Sequence, residues 1–450
     1  MTQTLPITAE AVAEAQRRTR RVLMVGQVLA GLGMGSTLSI GAILAAEISG
    51  SPAFSGMAAT MSTLGAALAA VPLARLARRS GRAPALATGA VVAAIGAVLA
   101  MVAAGISSFP LLLLGILFIG TGTAVNLQSR FAAADLAAPA TRGRDLSLVV
   151  WATTVGAVSG PNLIGPGESL GALLGLPELS GPFLFTVLAQ CLAAALYLVG
   201  LRPDPLRVAA AWQEEQERTT AAEAARLGVA APAVAAVSDD RGGIRLALIT
   251  IALSHATMVS VMAMTPVHLT DHGASLVIVG FTISLHIAGM YALSPVFGIL
   301  SDRFGRRPTI LLGQGMLLAS LVMTGLGAEN EAWVVAGLIF LGLGWSASTV
   351  AGSALLTESA SPPRRTIVQG RSDLLMSGSG AIGGALAGVV LAGLGYSGLS
   401  FVAMALVAVV LTVLWLTPRT ASVPAAPVPA EPVPAERVPT ESVSPPPTAP

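Results

Sequence analysis

The stretch Gly298-Ile-Leu-Ser-Asp-Arg-Phe-Gly-Arg-Arg307 joins two long apolar runs and reads as a tight reversal between them. Gly305 permits a backbone turn that a side chain would hinder. Asp302 can accept hydrogen bonds near a helix amino terminus, while Arg303, Arg306 and Arg307 hold the loop at a polar, cytoplasmic face. A shift of 224 residues lays Gly81, Arg82 and Pro84 on Gly305, Arg306 and Pro308. The same shift lays Gly56 on Gly280, Gly65 on Gly289, Gly89 on Gly313, Gly120 on Gly344, Pro139 on Pro363, Gly156 on Gly380 and Gly160 on Gly384. One offset held over so long a stretch implies duplication of a six-helix unit.

The runs on either side set the medium. Hydrophobic residues make up 54% of the chain and charged ones 11%, against about 45–50% and 25% in a soluble domain. Runs of about twenty apolar residues, enough to cross a hydrocarbon core, recur nearly throughout. Spans are expected at 22–46, 54–76, 83–105, 109–134, 146–166 and 181–201, then at 245–268, 275–300, 308–327, 332–357, 371–395 and 397–416. The chain divides into a cytoplasmic N-terminal tail (1–21), a six-helix bundle (22–201), a cytoplasmic central loop (202–244), a second six-helix bundle (245–416) and a Pro-rich cytoplasmic tail (417–450). The central loop is expected to hold a helix around Trp212–Arg218. The tail, with 11 of the 29 prolines, is too poor in apolar residues to bury a core and is expected to be disordered.

Arginine placement gives the orientation. The chain has no lysine, and 24 of its 25 arginines fall in the amino terminus, the even-to-odd loops, the central loop or the tail. The opposite loops carry acids only, so both termini are expected in the cytoplasm. A net charge of +2 points to no nucleic-acid partner. The single Cys191 has no internal partner and reads as a small packed hydrophobe.

The Gly298–Arg307 stretch resembles the loop signature of the major facilitator superfamily. The first-half copy keeps Gly81 and Arg82 but has Arg78 where the second half has Asp302. Gly156-Ala-Val-Ser-Gly160-Pro161-Asn-Leu-Ile-Gly165, in the fifth span, is similar to an element of the twelve-helix drug/proton antiporter branch, with Ile164 in place of a glycine. Gly160-Pro161 would kink that span. The antiporter arginine of the fourth span is absent, since Ile116 stands in its place. The resemblance implies an all-α major facilitator fold of 12 transmembrane helices and a secondary transporter, with a proton-coupled exporter of a small organic molecule or drug favoured. An importer or metabolite carrier on the same fold is the alternative. A membrane enzyme or receptor would need a catalytic cluster or a large extramembrane domain, and neither is evident. No cofactor is implied. Partners are a small-molecule substrate, protons and the lipid bilayer, in a monomer. Exclusive use of arginine suggests a GC-rich bacterial genome and an inner-membrane location.

By analogy with the fold, the first, fourth, seventh and tenth spans line a substrate cavity. Gln27, Asn126, Gln128, Arg130, His255 and Trp345 are its polar or aromatic candidates. Arg130 is costly in lipid and either serves that cavity or snorkels to the cytoplasmic surface. Cytoplasmic gating pairs are expected between Arg306 and Glu358 and between Arg82 and Asp135. The assigned spans place no acid at mid-membrane, with Asp373 toward the cytoplasm, so His255 or His286 is expected to carry the coupling proton. His268-x-x-x-His272 with Asp271 is too sparse to imply a metal.

Overall fold

The computed structural model describes residues 8–51, 54, 56–160, 163–227 and 239–418. The expected disordered tail lies beyond them, apart from its first two residues. Every regular element among the described residues is helical. In chain order these are α1 (Ala9–Ser49), α2 (Gly56–Ser80), α3 (Arg82–Gly105), α4 (Phe109–Ala132), α5 (Arg142–Ser159), α6 (Ile164–Leu173) and α7 (Pro182–Gly200). There follow α8 (Pro205–Arg226), α9 (Arg241–Asp271), α10 (Leu276–Tyr291), α11 (Ser294–Phe304), α12 (Arg306–Leu326), α13 (Glu331–Ser359) and α14 (Pro362–Leu416). Nine of the described helices are long and apolar enough to cross a membrane.

Several boundaries differ from the sequence reading. The first helix starts at Ala9 and continues without a break into the apolar run, so residues 9–21 are helix and not a free tail. Thr8 opens it, its side chain accepting from the Ala11 amide. The fifth apolar run is interrupted between Ser159 and Ile164, and the eighth between Tyr291 and Ser294. α14 is two helices joined at Gly395, whose φ of 69° no helical residue adopts. The central helix α8 runs for 22 residues, well beyond Trp212–Arg218, and Asp204 caps its start through the Leu206 amide.

The repeat is visible in the backbone. Gly81 and Gly305, at the amino ends of α3 and α12, adopt φ of 103° and 97° with ψ of 172° and 163°, a conformation that disfavours any residue with a Cβ. Gly65 of α2 backs onto the carbonyl of Leu117 in α4, and Gly289 of α10 onto the carbonyl of Ile339 in α13. Close contacts through small residues are how helices associate where lipid removes the hydrophobic drive between them. The α3–α4 contact shows the same device, since a Cβ on Gly115 would lie 2.8 Å from the Ala100 amide and the Gly96 carbonyl.

Three large sets of apolar side chains are buried among the described residues, two in the N-terminal half around Leu86, Val125 and Tyr197 and around Ile40, Leu112 and Phe183, and one in the C-terminal half around Leu317, Leu338 and Trp345. Smaller mixed clusters link them. Phe131 packs with Ala247, Leu356 and Val368, and Ala134, Leu146 and Val150 pack with Val350. Large apolar side chains also point outward, among them Leu188, Val199, Val389 and Trp415, as a lipid-facing surface requires. Cys191 belongs to that outer surface and is exposed, contrary to its reading as a packed hydrophobe.

Candidate functional site

Arg130 stands in the last turn of α4. Its Nη2 donates to Asp373 Oδ1 of α14 at 2.7 Å, with side-chain exposures of 3% and 0%. The guanidinium also lies 3.5 Å from Met376 Sδ and 4.8 Å from the centroid of the Phe131 ring. Arg130 Nε and Asp373 Oδ2 have no hydrogen-bond partner among the described residues. Arg130 therefore does not snorkel; it is neutralised inside the protein by a residue from the other half of the chain. Asp373 stays toward the arginine-rich end, since its partner is in the last turn of α4 and Gln369, one turn before it, accepts from Arg82. α14 begins at Pro362, with Ser361 in front of it, so Asp373 lies eleven residues in, about 16 Å along the axis. An ion pair buried this deeply costs so much desolvation that leaving either partner alone is strongly destabilising.

Beside this pair, Trp345 Nε1 of α13 donates to His255 Nδ1 of α9 at 3.0 Å. The Tyr291 ring meets the Trp345 ring edge-on at 5.7 Å between centroids. The Arg130 charge acts on both His255 and Tyr291. Gln27 of α1 donates to the side-chain oxygen of Asn126 at 3.2 Å, which joins α1 to α4. Asn126, His255 and Tyr291 are half-buried, with part of each surface open. The structure thus groups Arg130, His255 and Trp345, and separately Gln27 with Asn126.

Two candidates sit elsewhere. Gln128 is buried and turns toward α2, donating to the Ala70 carbonyl at 3.0 Å, so it packs within the N-terminal half instead of facing a shared space. His286 is fully buried against α13, its Nδ1 2.8 Å from the Leu338 carbonyl. The two imidazoles thus have different partners, and no bond joins them among the described residues. At the other end of α9, His268 Nε2 lies 2.7 Å from the Ala328 carbonyl and its ring stacks on Tyr396 at 4.1 Å.

A second group lies at the arginine-rich end. Arg82 Nε and Nη2 reach the two oxygens of Asp135 at 2.7 and 3.1 Å, and Nη2 donates to Gln369 of α14 at 2.7 Å. Arg306 Nη2 lies 2.7 Å from Glu358, and Nη1 lies 2.6 Å from Asp302. Asp302 in turn accepts from the Gly143 and Arg144 amides, both at 2.8 Å. It caps the amino end of α5 from the opposite half of the chain, where carboxylates are favoured. Burial works against the Arg306 charge, but Glu358 and Asp302 outweigh it and hold its pKa above the ordinary value. Arg142 reaches Glu358 at 3.4 Å, and Arg306 donates to the Pro139 carbonyl at 3.2 Å. Gly298 backs onto α5: a Cβ there would lie 2.6 Å from the Gly143 carbonyl and overlap Ser147 Oγ. Arg303 is exposed.

Arg78, which occupies the place of Asp302 in the first half, is exposed and cannot act as an acceptor. Asp204, from the segment after α7, accepts from the Ala83 amide at the start of α3, at 2.9 Å. In the fifth-span element, Gly156 lets α5 approach α1, since a Cβ would lie 2.6 Å from Gly31 Cα. Gly160 ends α5, Gly165 faces open space, and Pro161 lies outside the described residues.

The Major Facilitator Superfamily model matches residues 23–268 and 246–449. The chain is 36% identical over 376 residues to the uncharacterised MFS-type transporter YddS of Bacillus subtilis, covering 83% of this chain and 84% of that one. It is 28% identical over 379 residues to the riboflavin transporter RfnT of Brucella anthropi, covering 84% and 89%. Among solved structures, the human organic anion transporter MFSD10 (TETRAN) superposes with a TM-score of 0.69 at 18% identity, covering 89% of this chain and 99% of that one.

Proposed function

The chain belongs to the major facilitator superfamily and is a multi-pass membrane transporter, not an enzyme, and from that premise we propose that it exports a small organic molecule in exchange for protons. In this reading there are twelve spans in two six-helix repeats: α1 to α4, α5 with α6, and α7; then α9, α10 with α11, α12, α13 and the two parts of α14. Both termini and α8 lie in the cytoplasm, on the side of the arginine-rich loops.

The observation that carries the reading is the buried pair between Arg130 and Asp373, contributed by opposite halves. An ionisable pair within the span region is a functional site by default, because its cost has no structural return that apolar packing could not provide. Protonation of Asp373 removes its charge, releases Arg130 and weakens a tie between the halves. His255, half-open and under the field of Arg130, is the adjacent group through which a proton reaches the carboxylate. His286 lies farther out in this scheme, behind α13.

In this reading the inter-half hydrogen bonds at the arginine-rich end hold that side shut in a state open to the outside. A proton arriving from outside loads Asp373 and lets the halves rock. Substrate entering from the cytoplasm among Gln27, Asn126, His255 and Trp345 expels the proton inward and is carried out on the return. The cytoplasmic pairs of Arg82 with Asp135 and Arg306 with Glu358, together with Asp302, form in one facing state and part in the other. The similarity to a riboflavin transporter makes riboflavin the first compound to screen, within a wider panel of small organic molecules.

Replacing Asp373 with Asn keeps size and polarity but removes the titrating group. Substrate exchange without a pH gradient should persist in proteoliposomes while acceleration by the gradient is lost. Full gradient-driven transport by this variant would place the coupling proton elsewhere.

A further inference from the structure

A cavity of about 1000 Å³ opens at the arginine-rich end between the first turns of α1, the segment linking α4 to α5, the central helix α8 and the start of α14. Its lining includes none of the residues assigned to substrate, and its wall is charged. Five arginines line it, including Arg17, Arg142 and Arg365, against four acids.

The acids are largely engaged. Asp135 is bridged by Arg82, and Asp145 lies 2.7 Å from Arg20 and also accepts from Gln16 at 2.8 Å. Glu214, on the α8 rim, has Arg218 at 3.8 Å. The arginines are not balanced in the same way. Arg142 shares the single carboxylate of Glu358 with Arg306. The Nε groups of Arg142 and Arg365 are buried with no acceptor among the described residues, which is a costly arrangement unless another acceptor is supplied. Arg17 faces the same space and has no carboxylate partner among the described residues. Burial lowers the pKa of both Arg142 and Arg365, so these charges are held without full compensation.

From this convergence we infer that the cavity binds a phosphate-bearing anion, gripped by Arg17 of α1, Arg142 at the start of α5 and Arg365 of α14. Guanidinium forks match phosphate oxygens in charge and geometry. Trp212 and Leu206 of α8 add an apolar wall for the remainder of the molecule. Because Arg365 comes from the C-terminal half and the other two arginines from the N-terminal half, the bound anion ties the halves together at this end. It therefore favours the state in which that end is closed, by as much as its affinity differs between the two states.

The full-length protein in phosphatidylcholine nanodiscs, titrated with inorganic pyrophosphate by calorimetry, tests this. Saturable binding is expected, weakened about tenfold by Arg17→Gln or Arg365→Gln and unchanged by Arg226→Gln, which lies on α8 outside the cavity. The double variant Glu214→Gln/Glu217→Gln removes rim repulsion without touching the grip and should bind more tightly, so it carries the test even if an arginine variant fails to fold. In phosphatidylglycerol nanodiscs without pyrophosphate, a rise in melting midpoint that Arg365→Gln abolishes identifies a lipid headgroup as the natural occupant; without that rise, the occupant is a soluble anion. No saturable pyrophosphate binding, binding equal in wild type and both arginine variants, or no tightening in the Glu214/Glu217 variant overturns the inference.

Discussion

Arg130 of α4 and Asp373 of α14 form a buried ion pair that bridges the two halves of the chain and has no counterpart in the repeat. The 224-residue offset carries Arg130 to Ala354 and Asp373 back to Val149, both buried and apolar. The duplicated scaffold therefore holds this ion pair on one side of the interface, where the related side packs Ala134, Leu146, Val150 and Val350 together.

Breaking the pair from one side is expected to cost about 3–5 kcal/mol, since it strands a buried charge. Arg130→Met and Asp373→Leu should each lower the melting midpoint sharply. The double variant should be markedly more stable than the sum of the single losses, as a double-mutant cycle measures. Additive losses would show that the two side chains do not act as a pair.

Gly298→Ala is expected to act on conformation and leave each half intact. The added Cβ meets α5 of the other half at the Gly143 carbonyl and Ser147, and nothing requires that contact once the arginine-rich end opens. Single cysteines placed on α5 and α11 near this contact should react faster with a water-soluble maleimide in the Gly298→Ala background. Unchanged rates would mean that the contact persists in both states.

Asp302 should be separable into cap and charge. Asp302→Asn retains one of the two oxygens that accept from the Gly143 and Arg144 amides but loses the charge that pairs with Arg306, whereas Asp302→Ala loses both. The alanine variant should be less stable than the asparagine variant by about 0.5–2 kcal/mol, the usual value of an N-cap. Equal melting midpoints would remove the cap from the account.

A pH dependence is expected where the central loop meets the start of α14. The Ser361 amide and hydroxyl donate to Asp239 at 2.9 and 2.7 Å, and Arg364 pairs with it. The Ser361 backbone bond, then its hydroxyl, hold Asp239 below the usual carboxylate range. A carboxyl whose folded pKa is depressed stabilises at pH above its unfolded value, and that contribution fades as pH falls through the lowered folded value. Amide exchange around residues 239–243 and 361–365, corrected for intrinsic rates, should therefore accelerate below about pH 4. Asp239→Asn should exchange rapidly at every pH; acid acceleration that survives in that variant would point to another group.

Much of this was legible in the sequence, for physical reasons that can be named. The turn glycines Gly81 and Gly305 are fixed by backbone sterics, and the pairs of Arg82 with Asp135 and Arg306 with Glu358 have arginines at the same repeat position and acids one position apart, so the offset pointed to their neighbourhood. The pairing of Arg130 with Asp373 was hidden for the opposite reason, because it breaks the repeat. The signal that could have exposed it was local: Ser361 followed by Pro362 and Pro363 is a helix start, and counting from there puts Asp373 about three turns inside a helix instead of in its first turn. Rotation about the helix axis was not legible at Gln128. Alanine- and glycine-rich faces leave no strong apolar stripe to orient such a helix, and a buried amide is satisfied equally by a neighbouring backbone carbonyl or by a cavity.

The most direct test of coupled export is substrate flux from preloaded proteoliposomes under an imposed pH gradient. Antiport does not depend on the orientation of the protein in the vesicle, because substrate must always move against the direction of the proton. The account predicts that acidifying the outside speeds loss of trapped substrate and that acidifying the inside speeds its uptake, with both effects abolished by a protonophore and by Asp373→Asn. Uptake accelerated by outside acid, with substrate and proton moving together, would contradict it.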